Sequence, residues 1–99
     1  MENKQERLHA IVHGMVQGVS FRHYTTQKAR DLKLTGWVMN RRDNTVEVVA
    51  EGSRENLEVL HSWLHEGSPE AVVDRVDATW ETATGEFNGF RTTFYLDID

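Results

Sequence analysis

The chain has 99 residues, with 11 Lys+Arg against 16 Asp+Glu and no cysteine. A domain of this length buries roughly 60–70% of the surface its unfolded form exposes, enough for one core with no disulfide or metal to staple it. The net charge of −5 argues against a broad nucleic-acid footprint, and no apolar run approaches the ~20 residues that a membrane span needs.

Residues 1–6, Met1-Glu2-Asn3-Lys4-Gln5-Glu6, form a polar tail of mixed charge, unlike a signal peptide. One domain over residues 1–99, cytoplasmic and monomeric, is therefore expected. The first strand is predicted over 8–13, where weak alternation ends at Gly14. The period then changes. Phe21, Tyr24, Thr25, Ala29 and Leu32 recur on one face at about 100° per residue, which predicts an amphipathic helix over 21–32. Lys28 falls inside that stripe and is expected to run its stem along it with the ammonium outward.

Residues 35–40 and 45–51 are predicted strands joined by the turn Arg41-Arg42-Asp43-Asn44, in which Asn44 can take a positive φ. Val46, Val48 and Ala50 share one side of the second of these strands. Ser53 is a helix N-cap, Glu55 suits the first turn, and Gly67 with Pro69 closes the segment. Leu57, Leu60 and Leu64 form its apolar stripe, with Trp63 beside it. A fourth strand follows over 72–81, where Val76, Ala78 and Trp80 alternate with Asp77, Thr79 and Glu81. After a loop over 82–89, Phe90, Thr92, Phe94, Leu96 and Ile98 alternate in a last strand. The order βαββαβ plus an extra C-terminal strand predicts an α+β, ferredoxin-like sandwich, an antiparallel sheet with both helices on one face. Many functions share that plan, so function must be sought in a site.

The strongest candidate is the segment Gly14-Met15-Val16-Gln17-Gly18-Val19-Ser20-Phe21-Arg22. Two glycines bracket a loop that runs into a helix start, where backbone N–H groups can converge on an anion. The spacing is not that of a P-loop, which carries a lysine after its second glycine. Arg22 at a helix N-terminus opposes the macrodipole. It is either a ligand for an anion or a surface arginine reaching a carboxylate. Asn40, at a strand end, is either a structural cap or the holder of a water; periodicity does not say whether it lies beside the loop. Ser20 has no base at a fixed spacing, and His23 is expected to point elsewhere. His61 and His65 have a zinc-compatible spacing without a third ligand, and read as exposed helix residues. His9 and His13 share one strand face as structural or solvent-facing groups, and Arg41 and Arg42 either belong simply to a solvated turn or add local positive potential for an anion. Trp37, Trp63 and Trp80 read as packing residues, with Trp37 a candidate shield for the site.

The pattern Gly14-x-Val16-Gln17-Gly18-Val19-x-Phe21-Arg22 resembles the first signature of acylphosphatases. Gly36-Trp37-Val38-Met39-Asn40, followed by Val46 and Gly52, resembles their second. The resemblance implies hydrolysis of small acyl phosphates to carboxylate and inorganic phosphate, with no metal, cofactor, nucleic acid or membrane involved. It also implies that Arg22 binds the phosphoryl group and Asn40 orients the attacking water. Backbone N–H groups of Val16, Gln17, Gly18, Val19, Ser20 and Phe21 would cradle the phosphate oxygens. One departure is Asn44, where the family usually has glycine; it bears on the hairpin next to Asn40. Two other readings share the fold. One is a phosphate- or carbamoyl-phosphate-binding module like that at the front of hydrogenase maturation factors, which carry cysteine-rich zinc segments absent here. The other is an RNA-binding module, against which residues 45–51 lack the aromatic and basic signature.

Overall fold

In a computed structural model whose described residues are 4–93, seven elements follow one another. They are β1 (Gln5–Met15), α1 (Phe21–Asp31), β2 (Thr35–Asn40), β3 (Val46–Ser53), α2 (Arg54–Leu64), β4 (Val72–Thr82) and β5 (Phe90–Thr93). The strands form one sheet in the order β4-β1-β3-β2-β5. β4, β1, β3 and β2 pair antiparallel, which is the ferredoxin-like sheet that was expected. β5 departs from an all-antiparallel sheet: it pairs parallel to β2, from Gly36↔Phe90 to Met39↔Thr93. The direction follows from the chain path. β4 finishes at the end of the sheet where β2 begins, so a strand re-entering beside β2 runs the same way.

Alternation decides which face is covered. Leu8, Ala10 and Val12 of β1, Val38 of β2, and Val46, Val48 and Ala50 of β3 join Phe21 and Ala29 of α1 and Leu57, Leu60 and Leu64 of α2 in one buried cluster. Both helices therefore lie on the same face. Each fully buried Leu or Phe contributes about 1.5–3 kcal/mol relative to an exposed one. Trp63 packs on Phe21 with ring centroids 5.7 Å apart, and Trp80 lies under the Arg54 guanidinium at 3.7 Å. The opposite face carries polar pairs: His9 Nε2 with Glu47 at 2.6 Å, His13 Nε2 with Asp77 at 3.0 Å, and Arg7 Nε with Glu51 at 2.7 Å.

Three local readings need correction. β1 starts at Gln5, which faces Ser53, so Gln5 and Glu6 belong to the strand and not to a tail. In α1 the buried residues are Phe21, Thr25, Thr26 and Ala29, while Tyr24 is 38% exposed. Thr26 takes its place inside because its hydroxyl pairs with that of Thr92 at 2.8 Å, and Thr25 Oγ1 donates to Phe21 O at 2.8 Å. β3 begins at Val46 and continues to Ser53, whose Oγ accepts from Asn56 N at 3.2 Å as the cap of α2. Phe94, Leu96 and Ile98 lie outside the described residues. No described helix is long and apolar enough to cross a membrane.

Candidate active site

The site begins where β1 parts from β4. The register shifts between His13 and Gly14, and Gly14 has φ +131°. A Cβ there would come within 2.1 Å of the Val72 carbonyl oxygen, so the close approach admits only glycine. Val16 then anchors in the core, and the chain turns over residues 17–20 with Gly18 (φ +77°) and Ser20 (φ +61°) both left-handed. For a serine this conformation costs about 1–2 kcal/mol. Ser20 is the N-cap of α1, yet its side chain makes no capping bond. Among the described residues, the N–H groups of Gln17, Gly18, Val19 and Ser20 donate to no protein acceptor. Four donors at the positive end of a helix are thus left without a protein acceptor, and two of the residues that carry them, Gly18 and Ser20, line the adjacent space.

Asn40 reaches the same space from β2. It faces Val46 at the last rung of the hairpin. The turn closes through Arg41 N to Thr45 O at 2.8 Å and Asn44 N to Arg41 O at 3.2 Å, with Asn44 at φ +73°. Asparagine therefore keeps the turn that glycine would make, because its short side chain tolerates the left-handed region. The Thr45 hydroxyl and then its N–H bond to the Asp43 carboxyl and hold it below the ordinary carboxylate value. Gln17 supplies the link that periodicity could not show. Its Nε2 donates to Arg41 O and to Thr45 O, both at 2.8 Å, tying the loop to the hairpin end.

Between them lies a hollow of about 240 Å³. Arg22 and Asn40 line it, as do Val16, Gly18, Ser20 and Phe21 of the loop. Gln17 and Val19 do not line it: the first is turned to the hairpin, the second packs partly on the core. His23, expected to point elsewhere, lines the hollow, and so does Thr92, which pattern reasoning missed. The alternation that buries Phe90 was the available signal for Thr92. Arg22 Nη1 donates to Thr93 O at 3.3 Å. Asn40 Oδ1 is buried and accepts no hydrogen bond, and no described residue bonds to its amide nitrogen either.

Ser20 lines the hollow, but its hydroxyl makes no hydrogen bond to a described residue. The remaining candidates stand apart from it. Arg41 pairs with Glu47 at 3.3 Å and Asp43 at 3.5 Å. Trp37 lies on the face opposite Val38 and does not shield the site. His65 Nδ1 lies 2.9 Å from His61 O on α2. Among the described residues, no three of His, Cys, Asp and Glu gather to hold a metal ion.

A ferredoxin-like sandwich in which a strand-to-helix loop and a hairpin end close on one polar hollow defines a class of small α+β domains. The acylphosphatase profile matches residues 8–92, and the chain belongs to the acylphosphatase family. It is 56% identical over 87 residues to an acylphosphatase of Marinobacter nauticus, covering 88% of this chain and 95% of that one. It is 49% identical to an acylphosphatase of Pelotomaculum thermopropionicum, covering 89% and 96%. The crystal structure of acylphosphatase from Bacillus subtilis superposes with a TM-score of 0.86 at 34% identity, over 89% of this chain and 98% of that one. Family and fold together support an enzyme that hydrolyses acyl phosphates.

Proposed function

We propose that the hollow between the β1–α1 loop and Asn40 is the phosphoryl site, and that water attacks phosphorus there in line with the carboxylate leaving group. The observation that carries this reading is the buried Asn40 Oδ1, without a hydrogen-bond donor and beside Arg22. An acceptor left unpaired in a buried position costs about 1–3 kcal/mol; accepting from a bound water removes that cost and orients the water. An acyl phosphate is a mixed anhydride whose carboxylate departs without acid assistance, so the protein has two tasks. It places the nucleophile, and it stabilises charge spread over the phosphoryl oxygens. The planar guanidinium of Arg22 grips two of those oxygens, and the loop N–H groups hold them without reorganising. Asn40 is too weak a base to take the water's proton, which goes to a phosphoryl oxygen of the substrate. The substrates are small acyl phosphates, the products a carboxylate and inorganic phosphate, and the hollow involves no metal or cofactor.

The test is phosphate release from benzoyl phosphate by purified protein, with and without a chelator. Asn40→Ala is expected to lower kcat by on the order of 10²–10³ while inorganic phosphate still inhibits. Arg22→Ala is expected to lose both turnover and phosphate inhibition. Near-normal turnover by Asn40→Ala would refute the water-orienting role.

A further inference from the structure

Ser68, in the turn between α2 and β4, is 3% exposed, and its hydroxyl donates to the Val19 carbonyl at 2.7 Å, 49 residues earlier in the chain. Ser68 does not line the hollow. Its own turn is closed by Ala71 N to Ser68 O at 3.0 Å and is pressed against the start of α1. A Cβ on Gly67 would meet the Phe21 ring at 2.6 Å, so this contact leaves no slack.

The peptide plane that carries the Val19 carbonyl also carries the Ser20 N–H, and a trans peptide aims the two in opposite directions. With the carbonyl turned to Ser68, the Ser20 N–H is turned away from it, and Ser20 lines the hollow. That N–H meets no protein acceptor. The orientation is strained, because it leaves Ser20 left-handed at φ +61°. Turning the plane over changes that φ by about 180° and takes Ser20, whose ψ is 24°, out of the left-handed region to a negative φ. The same flip would aim a carbonyl oxygen, not a donor, at a bound anion. Strained peptides persist only where their surroundings hold them, and among the described residues the Ser68 hydroxyl is the group bonded to this one.

We propose that Ser68 is a positioning residue for acyl phosphate hydrolysis: its hydroxyl locks the Val19–Ser20 peptide in the strained orientation that offers an N–H to the phosphoryl group. This rests on the reading of the hollow as the phosphoryl site. Ser68→Ala and Ser68→Thr are compared with wild type for kcat/KM on benzoyl phosphate and for inhibition by inorganic phosphate, with circular dichroism to verify folding. The expected result for Ser68→Ala is a loss on the order of 10² in kcat/KM with a weakened phosphate inhibition constant, and recovery in Ser68→Thr, which keeps the hydroxyl. A folded Ser68→Ala with wild-type values overturns the proposal, as does a folded Ser68→Thr impaired as much as the alanine variant. Phosphate titration of ¹⁵N-labelled wild type tests the same point without any variant: the Ser20 amide should be among the resonances that shift, and a static Ser20 amide in a titration that moves others overturns it. An inactive wild type instead defeats the phosphoryl-site reading itself, so the two failures are distinct.

Discussion

Arg22 stands in the first turn of α1, where a helix least favours a cation; the opposition to the macrodipole is worth about 0.3–1 kcal/mol. On the proposed reading, a phosphoryl dianion bound in the hollow would reverse that sign, because the helix end and the guanidinium would both attract it. Charge alone does not complete the role. Arg22→Lys keeps the charge and loses the planar fork, so kcat/KM on benzoyl phosphate is expected to fall on the order of 10²; wild-type kinetics in that variant would disprove bidentate binding. At this scale the sequence singled out Arg22 and Asn40 because each ends a motif that resembles a family signature, and both line one hollow. Ser68 was not legible there, and Thr92 was only through its alternation with Phe90. A serine in a turn and a threonine in a strand are ordinary residues there, and their value comes from partners 49 and 66 residues away.

The β1–α1 loop and the β2–β3 hairpin act as one unit because Gln17 fastens them. Its amide serves two carbonyls that the hairpin itself leaves partly unsatisfied on that side. Gln17→Leu keeps the bulk and removes both bonds, which frees the Asn40 end of β2 while leaving the loop N–H groups in place. Turnover is expected to drop about tenfold or more, from a misplacement on the order of 1 Å, with phosphate inhibition little changed. An equal loss in both would mean that Gln17 supports the loop and not the hairpin. Element order was readable from periodicity, and the ends of elements were not. Gln5 and Glu6 join β1 through backbone pairing with Ser53 and Gly52, which side-chain polarity does not report. The stripe of α1 was rotated for a related reason: Thr26 is buried with a hydroxyl partner on β5, while Tyr24 is left exposed. The parallel pairing of β5 also lies in the chain path and not in its pattern.

Across the whole molecule, the uncovered face of the sheet sets the response to acid. Glu51 is 4% exposed. Burial raises its pKa, but the N–H groups of Thr84 and Gly85, each at 3.0 Å, and the Arg7 guanidinium outweigh that and hold it below the ordinary 4.5. A carboxyl with a lower pKa in the folded state adds stability that is present above 4.5 and disappears as pH falls through the folded value. His61 acts in the same direction from a higher starting point: burial, then the charge of His65, lowers it from 6.5, so acid charges it more readily in the unfolded chain. The urea midpoint is therefore expected to fall steadily from about pH 6 to about pH 3. Glu51→Gln should be less stable at neutral pH and should lose less in the acid part of that range; an unchanged slope there would remove Glu51 from the account. The loop that forms the hollow, meanwhile, is tied to residues 24, 28 and 49 positions away. No fragment, hairpin or half-assembled intermediate can own that geometry, so catalytic competence arrives in one step with the finished chain. Recovery of turnover after dilution from denaturant should then time the closing of the entire molecule, making the enzyme its own clock for refolding.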